Sequence, residues 1–486
     1  MEQLFVANQI TSGKLISAIF MLLMMSLAGT SASLANEAAP DSAAQRPNIL
    51  LIMADDLGVE TLGTYGGESY QTPALDDLAA QGMRFEQGHA TPLCSPSRVM
   101  LLTGKDGWRN YSHFGYLDPA QPTFAQALAA VGYRTFAAGK WQLVSNKYQD
   151  LEGMTPAAAG FQDYALWQIA AREGETDRYW GPTITGPQGP VPHRESEYGP
   201  ELFSAALAKF IRESAASGQP FLAYYPMVLP HRPFSGTPGQ RDGDRQQRFS
   251  AMIEAMDSIV GQLREVLEES GVADNTLLLF VGDNGTDRKI TSRRNGQELR
   301  GGKALTLQSS THVPFIAWWP GTIAPGSSRD ELVYLADILP TLLELGGAAL
   351  PADIDGRSLL PLLRNEGSDE WRDSLFMHYD PRWSDNEPAR YVFDAQWKLY
   401  EDGRFFNLQQ DPLEQTPLAL AELDANGAAA QKRLQQHLEL AGGSLSGVLS
   451  PQSEYRRERD LRRSLIAISV LLVLGFWYFM RRSRRA

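Results

Sequence analysis

The chain contains very little cysteine and little histidine. Its 486 residues include one cysteine, Cys94, and 7 histidines. A single cysteine cannot form an intramolecular disulfide, so a large hydrophobic core has to stabilise the fold. Hydrophobic residues make up 43% of the chain and charged residues 21%, which is typical of a globular protein. At roughly 100–200 residues per domain, this length predicts two or three domains.

Positive charge is also scarce. Lys and Arg number 44 against 57 Asp and Glu, which gives a formal net charge of -13. A negatively charged protein repels the phosphate backbone of nucleic acids. We therefore expect no nucleic-acid partner.

The amino-terminal end is typical of an export signal. An apolar run over residues 15–27 follows Lys14, and small residues then lead to a cleavage-like site at Ser33-Leu34-Ala35. We predict a signal peptide over residues 1–35, with an uncleaved anchor as the alternative. Both interpretations predict an exported protein.

The carboxyl-terminal end is typical of a membrane anchor. Residues 465–480 carry no charge and end in aromatic residues, and an arginine-rich tail follows. A helix of roughly 16 residues spans about 24 Å, against ~30 Å for a hydrocarbon core, and flanking arginines can snorkel to the interface. We predict a transmembrane helix over residues 464–480 and a basic cytoplasmic tail over residues 481–486, with a buried core helix as the alternative.

These two ends together predict a location. A eukaryotic lumenal enzyme of this size would usually carry several disulfides, whereas this chain can form none within itself. We therefore expect a protein on the periplasmic face of a bacterial inner membrane, held by a single-pass carboxyl-terminal anchor.

Between the ends, strand-like apolar runs alternate with helical patterns. This alternation predicts an α/β domain over residues 36–365, with a mixed, mostly parallel sheet flanked by helices. Shorter strands and a late helix then predict a small carboxyl-terminal subdomain, an antiparallel sheet plus helix, over residues 366–440. Residues 441–463 begin with a stretch rich in Gly and Ser, and we interpret them as a linker.

Two predicted strands are followed directly by pairs of oxygen ligands. Asp55-Asp56 follows the apolar run 49–54, and Asp283-Asn284 follows the run 277–282. Because open parallel sheets bind ligands at the carboxyl ends of their strands, the two pairs suit one divalent cation, with Ca²⁺ favoured over Mg²⁺. No histidine adjoins either pair at a helical ligand spacing, which argues against zinc. For each pair alone, a turn or a helix cap is the alternative.

The cysteine lies at the start of a predicted helix. Residues 94–104 read Cys-Ser-Pro-Ser-Arg-Val-Met-Leu-Leu-Thr-Gly. A lone cysteine is usually a buried small hydrophobic residue. Here Pro96 predicts the first turn of a helix, where free backbone amides favour an anion, and Arg98 adds a bidentate oxyanion donor.

This segment resembles the signature C-x-P-S-R-x-x-x-L-T-G of the formylglycine-dependent type I sulfatases, which are arylsulfatase-like. The resemblance covers nearly all of residues 46–440 and implies an alkaline-phosphatase-like fold. It implies that Cys94 is oxidised to formylglycine (3-oxoalanine) by a formylglycine-generating or anaerobic sulfatase-maturating enzyme. It also implies hydrolysis of a sulfate ester, on a small molecule or a sulfated glycan, with a bound divalent cation.

Other segments of the chain match the same family. Lys140 lies in a Gly-Lys-Trp segment that resembles the family's G-K-W-H-L, His231 lies in Pro-His-Arg-Pro, and Lys303 ends Leu-Arg-Gly-Gly-Lys. The resemblance implies that basic side chains bind the sulfate and that His231 or Lys303 protonates the departing alcohol. The metal ligands it implies are Asp55, Asp56, Asp283, Asn284 and the converted Cys94.

One position departs from the family pattern. Gln142 stands where G-K-W-H-L has histidine, and an amide can hydrogen-bond a hydrated aldehyde but cannot accept its proton. The step that releases sulfate therefore lacks its usual base, for which His89, His113 and His312 are candidate substitutes. Two alternatives to a sulfatase stay open: a phosphomonoester or phosphodiester hydrolase with the same nucleophile, and a non-catalytic, membrane-tethered binder of sulfated glycans.

Overall fold

The computed structural model describes residues 46–144, 151–169, 177–367, 371–383, 386–443 and 445. The predicted signal peptide, transmembrane helix and cytoplasmic tail lie outside the described residues, as does most of the predicted linker. In the described part of the chain, no helix is long and apolar enough to cross a membrane. The export signal and the anchor therefore remain predictions.

A large mixed sheet forms the centre of the molecule. The strands up to residue 334 are β1 (Asn48–Ala54), β2 (Met83–His89), β3 (Arg134–Lys140), β4 (Asp163–Trp167), β5 (Thr183–Gly186), β6 (Gly189–Pro192), β7 (Phe221–Pro226), β8 (Thr276–Gly282), β9 (Thr291–Arg294), β10 (Gln297–Arg300), β11 (Phe315–Trp318) and β12 (Ser327–Tyr334). Ten of these form one sheet in the order β12-β2-β11-β8-β1-β7-β3-β4-β5-β6, and β9 and β10 form a separate hairpin. The central strands β8, β1, β7, β3 and β4 all run parallel. The predicted α/β class with a mostly parallel sheet is confirmed.

Helices cover both faces of this sheet. Those of the described chain are α1 (Pro73–Ala80), α2 (Cys94–Thr103), α3 (Gly107–Asn110), α4 (Phe124–Ala130), α5 (Gly199–Ser217), α6 (Arg245–Glu269), α7 (Gln308–Thr311), α8 (Ile338–Gly346), α9 (Leu360–Leu363) and α10 (Ala425–Leu440). Helices α2, α4 and α8 contribute to the hydrophobic cluster on one face, and α1, α5 and α6 to the cluster on the other.

Strand β1 shows how an uninterrupted apolar run builds this layered core. All its residues are buried. Because side chains alternate across a strand, Leu51 and Met53 enter one cluster while Leu50 and Ile52 enter the other. Fully burying each of these side chains contributes roughly 1.5–3 kcal/mol.

A smaller unit follows the main sheet. Strands β13 (Leu375–Tyr379), β14 (Ala389–Phe393), β15 (Trp397–Tyr400) and β16 (Phe405–Asn407) form an antiparallel sheet in sequence order. Helix α10 packs against it through Leu434 and Leu438. The predicted antiparallel-sheet-plus-helix architecture is confirmed, and the domain boundary near residue 365, between α9 and β13, stays a prediction.

The register of the central strands brings distant residues to one edge of the sheet. Ala54, the last residue of β1, pairs with Gly282, the last residue of β8. The acidic pairs that follow therefore leave neighbouring strands at the same level. Lys140 ends β3 at this edge, and β7 leads to His231.

Candidate active site

Cys94 is the first residue of α2 and is 4% exposed. The chain before it is held in place because Ser97 Oγ accepts a hydrogen bond from the Thr91 amide at 3.0 Å and lies 2.7 Å from Thr91 Oγ1. The free amides and dipole of a helix amino terminus favour negative charge. An anionic group carried on residue 94 would be stabilised by this position.

Three carboxylates surround this helix start. Atoms of Asp55, Cys94 and Asp283 lie within 4.8 Å of one another, and atoms of Asp55, Asp56 and His231 do the same. All three carboxylate residues are fully buried. Such a concentration of buried negative charge requires counter-charges.

Two basic side chains supply part of that counter-charge. Lys140 Nζ donates to both oxygens of Asp55, at 3.0 and 2.9 Å. Arg98 donates to Asp283 Oδ2 from Nε at 3.2 Å and from Nη2 at 2.9 Å. Burial alone would raise the pKa of Asp55, but Lys140, His231 and Arg98 hold it well below its usual range.

The position of Lys140 depends on the glycine before it. Gly139 has φ +112°, and a Cβ there would lie 2.1 Å from the Pro226 carbonyl oxygen. Only glycine allows β3 and β7 to approach so closely at this point. Gly139 thus determines the backbone position of Lys140.

Asp56 is bound differently from Asp55. Its Oδ1 accepts hydrogen bonds from Lys303 Nζ and, at 2.9 Å, from Asn284 Nδ2. His231 Nε2 lies 3.6 Å from Asp56 Oδ2, beyond hydrogen-bond distance. Burial raises the pKa of Asp56. Its φ of +69° is a left-handed conformation that aspartate tolerates better than most residues.

Two buried oxygens at this site have no hydrogen-bond partner in the described chain. They are Asp56 Oδ2 and Asn284 Oδ1. Burial, reinforced by the negative charge of Asp55, raises the pKa of Asp283 to about 7, although Arg98 and Lys140 oppose the rise. Unpartnered oxygens among carboxylates are suitable ligands for a hard divalent cation. Asp55, Asp56, Asp283 and Asn284 therefore fit the metal site implied by the sequence.

Gln142 lies beyond the end of β3 and is paired with another amide. Its Nε2 donates to Gln168 Oε1 at 2.6 Å. Because an amide oxygen only accepts hydrogen bonds, Gln142 Oε1 can serve as an acceptor but not as a base.

The three histidines considered as substitute bases have other surroundings. His89 is fully buried, and its ring stacks on that of His312 at 5.3 Å between centroids. His312 Nε2 lies 2.8 Å from the Glu86 carbonyl oxygen. His113 Nδ1 lies 3.0 Å from Ser112 Oγ. These contacts give His89 and His312 a role in packing β2 against the segment that follows α7.

Arg178 also lies at this site, although nothing in the sequence points to it. Its Nη1 lies 3.7 Å from Asp55 Oδ2 and 3.1 Å from His231 Nδ1. The guanidinium also lies 4.1 Å from the centroid of the Trp167 ring. Arg178 therefore joins the buried charge cluster, although it belongs to no motif that could have identified it.

Comparisons with known proteins identify the family of this chain. The sulfatase family model matches residues 47–348, and a second model, N-sulphoglucosamine sulphohydrolase, C-terminal, matches residues 302–441. Human (Homo sapiens) arylsulfatase A is 36% identical over 392 residues, which cover 74% of this chain and 75% of that protein. Mouse (Mus musculus) steryl-sulfatase is 29% identical over 451 residues, covering 74% of this chain and 72% of that protein.

The fold is also found in solved structures. One, a protein in complex with its substrate D-glucosamine-2-N,6-O-disulfate, superposes with a TM-score of 0.67 at 22% identity and covers 81% of this chain and 97% of that one. Phosphonate monoester hydrolase of Agrobacterium radiobacter superposes with a TM-score of 0.62 at 22% identity, covering 81% of this chain and 95% of that one.

The chain belongs to the sulfatase family, with an alkaline-phosphatase-like fold. Because its relatives are arylsulfatases and a steryl-sulfatase, it is a sulfuric ester hydrolase, as the sequence predicted.

Proposed function

We propose that this enzyme hydrolyses a sulfate ester with formylglycine at position 94 and a bound Ca²⁺ ion. The reaction consumes one water and releases an alcohol and hydrogen sulfate. One observation carries the proposal: Cys94 starts a buried helix within 4.8 Å of ligand atoms of Asp55 and Asp283. Two unpartnered oxygens lie in the same cluster, where a cation would satisfy them.

Formylglycine would supply a hydrated aldehyde, of which one hydroxyl attacks sulfur and the second, on losing its proton, expels sulfate. The thiol must first be oxidised, and we propose a formylglycine-generating or anaerobic sulfatase-maturating enzyme as the partner that supplies the oxidant. The first turn of α2 and Arg98 favour negative charge at residue 94.

The cation would offset the carboxylates and polarise the oxygen on residue 94. We propose Asp55, Asp56, Asp283, Asn284 and the converted Cys94 as its ligands. All-oxygen donor sets suit Ca²⁺ better than Mg²⁺, which usually keeps several waters. Lys140, Lys303 and Arg178 remain to attract the sulfate group because each brings positive charge to the carboxylate cluster.

We propose that the proton for the departing alcohol comes from His231 or Lys303, both of which lie against Asp56. The basicity of the leaving alcohol distinguishes a proton donor from a residue with another role. A variant lacking the donor loses far more activity on an alkyl sulfate than on 4-nitrophenyl sulfate, whose leaving group needs little protonation. We therefore compare His231→Asn and Lys303→Gln on both substrates. If each variant loses the same fraction of its activity on the alkyl sulfate as on 4-nitrophenyl sulfate, neither residue is the proton donor.

The decisive experiment is mass spectrometry of the Cys94 peptide from protein made in its native host, combined with an assay. Conversion to the aldehyde makes the peptide about 18 Da lighter. The preparation should hydrolyse 4-nitrophenyl sulfate much faster than 4-nitrophenyl phosphate. An active preparation with an unmodified thiol would disprove the nucleophile, and faster phosphate hydrolysis would favour the phosphoester alternative. Tight binding without turnover would favour the binding-protein alternative.

The substrate class is proposed from the relatives. These include N-acetylgalactosamine-6-sulfatases, for example the human (Homo sapiens) protein at 27% identity over 464 residues, and arylsulfatases. We propose that the leaving alcohol is a carbohydrate or an aryl alcohol.

We further propose export to the periplasmic face of a bacterial inner membrane, with residues 464–480 as the anchor. Membrane fractionation of the full chain, compared with a chain ending at residue 463, tests this. The full chain should sediment with membranes and the shortened chain should be released. Equal release of both would contradict the anchor.

A further inference from the structure

Four basic residues lie beside the catalytic residues on the protein surface. We call Arg232, Arg288, Lys289 and Arg300 the basic rim. All four are exposed. They stand out because the chain as a whole carries a formal net charge of -13.

Contacts join the rim residues to one another, and short stretches of chain connect them with the candidate active site. Arg232 directly follows His231, and its Nε lies 3.7 Å from Asp287 Oδ2. Asp287 is followed by Arg288, whose carbonyl oxygen accepts a hydrogen bond from Arg300 Nε at 2.7 Å. Arg300 ends β10, three residues before Lys303. The rim is therefore continuous, and both of its ends lie close in the chain to residues that contact Asp56.

A second path leads from the rim to Cys94. Tyr379 is buried, and its hydroxyl donates to the Ala304 carbonyl oxygen at 3.2 Å. The Ala304 amide in turn donates to the Pro92 carbonyl oxygen at 2.8 Å, two residues before Cys94. The Lys303 amide donates to the Thr286 carbonyl oxygen at 3.0 Å, two residues before Arg288. The segment that leads to Arg288 and the segment that leads to Cys94 are therefore both hydrogen-bonded to residues 303–304.

Most of the positive charge of the rim is not neutralised. Arg232 has Asp287 as a partner, but Arg288, Lys289 and Arg300 form no ion pair with any described residue. Exposed cations around a cleft raise the local concentration of anions, and salt screens this effect. The pocket already has Lys140, Lys303 and Arg178 for the sulfate that reacts. The rim charges are therefore available to a different anionic group.

We propose that the basic rim binds a second anionic group of the substrate, so that the preferred substrate is a multiply charged sulfated glycan. This inference rests on the proposed function and makes its substrate class more specific. A sulfate or carboxylate on a neighbouring sugar is the matching chemistry, because arginine side chains recognise such groups bidentately.

The test compares two disaccharides with the same backbone, one monosulfated and one disulfated. The double variant Arg288→Gln/Lys289→Gln is suited to it, since neither side chain makes a hydrogen bond or ion pair with a described residue. The ratio of kcat/KM for the disulfated over the monosulfated substrate should fall at least tenfold, about 1.4 kcal/mol. Added salt should lower the same ratio in the unaltered enzyme.

Arg212→Gln is the matched control. Arg212 is exposed near the end of α5, which leads into the beginning of β7 and hence lies towards the opposite edge of the sheet. Its ratio should equal that of the unaltered enzyme. A ratio changed less than twofold in the double variant would overturn the inference. If the unaltered enzyme releases no sulfate from either disaccharide or from 4-nitrophenyl sulfate, the proposed function itself fails.

A competition experiment asks whether the rim recognises glycans specifically. A heparin tetrasaccharide should inhibit hydrolysis of 4-nitrophenyl sulfate, and its half-inhibitory concentration should rise at least tenfold in the double variant. A single-stranded DNA oligonucleotide of equal charge should inhibit much more weakly. Equal inhibition by the DNA would show a non-specific polyanion site and contradict the inference.

Discussion

Two buried charge clusters in this protein are built in opposite ways. In the first, Asp337 is fully buried and all its acceptor positions are used: Arg372 donates to both oxygens at 2.6 Å, and the amides of Tyr334 and Arg357 add bonds at 3.0 and 2.7 Å. In the second, at the carboxyl edge of the sheet, Asp56 Oδ2 and Asn284 Oδ1 have no hydrogen-bond partner in the described chain.

This difference in hydrogen bonding distinguishes a cluster that stabilises the fold from a cluster that can bind a ligand. A buried carboxylate whose acceptor positions are all used adds little net stability to the fold. Removing either the carboxylate or its basic partner is nevertheless strongly destabilising, because it leaves an uncompensated buried charge. A cluster that leaves oxygens unpartnered is under-satisfied in the protein alone, and a ligand can complete it. Each of the following predictions tests one side of this contrast.

The largest effect is expected at position 94. Cys94→Ala removes the nucleophile and should lower kcat by about 10⁴-fold or more, as removal of a catalytic nucleophile does elsewhere. Because the side chain is small, the thermal midpoint of unfolding should stay close to that of the unaltered enzyme. Sulfate release and thermal unfolding are measured on the same preparation. A variant with substantial activity would exclude residue 94 as the nucleophile.

The satisfied cluster should affect stability. Asp337→Ala leaves Arg372 buried without its partner and should lower the free energy of unfolding by about 3–5 kcal/mol. Asp353→Ala is the control: this carboxylate is 68% exposed and pairs with Lys105 at 3.1 Å, so its loss should cost less than about 1 kcal/mol. Denaturant titration measures both. Equal losses of unfolding free energy in the two variants would show that the cost does not depend on burial of the ion pair.

The unsatisfied cluster should respond to metal. After chelation, adding Ca²⁺ at about 100 times its dissociation constant should stabilise the fold by about 2.7 kcal/mol. Asp283→Asn removes a charged ligand and should abolish most of this gain. Glu213→Gln on α5 serves as the control and should retain it. Thermal unfolding with and without Ca²⁺ is the measurement, and a calcium-dependent shift that survives Asp283→Asn would exclude Asp283 as a ligand.

The smallest effect is expected at Gln142. Gln142→His introduces a base at the position where the family signature has one and should raise kcat by no more than about tenfold, or 1.4 kcal/mol. Pre-steady-state kinetics should place the change in the release of sulfate rather than in the attack on sulfur. A large fall in kcat would instead mean that the glutamine pair with Gln168 has its own catalytic function.

The sequence predicted the core of the fold because its central strands are uninterrupted apolar runs. The apolar runs over residues 49–54 and 277–282, which predict strands, lie within β1 and β8. The hairpin of β9 and β10 was not predicted, since its residues are mostly polar and largely exposed and carry no hydrophobic signal. Its position depends on contacts with distant parts of the chain, for example the backbone bond from the Glu68 amide to the Arg293 carbonyl oxygen.

The candidate site likewise contains some residues that the sequence predicted and others that it did not. Asp55 and Asp283 were predicted from short local patterns, because each directly follows a strand of the parallel sheet, whereas Lys140 was implied only by the resemblance of its Gly-Lys-Trp segment to the family. Arg178 lies 53 residues from His231 and reaches it only through the folded structure. The basic rim likewise combines residues from separate segments of the chain.

The pairing of Ala54 with Gly282 would also make affinity for the proposed cation a check on long-range folding. A slip of one residue between β1 and β8 would turn every following side chain to the opposite face of the sheet, and the two acidic pairs would no longer point to a common centre. Only chains that have joined these two distant segments in the correct alignment would acquire the proposed ion. Correctly assembled molecules would thereby be retained selectively, while misaligned ones would unfold more readily.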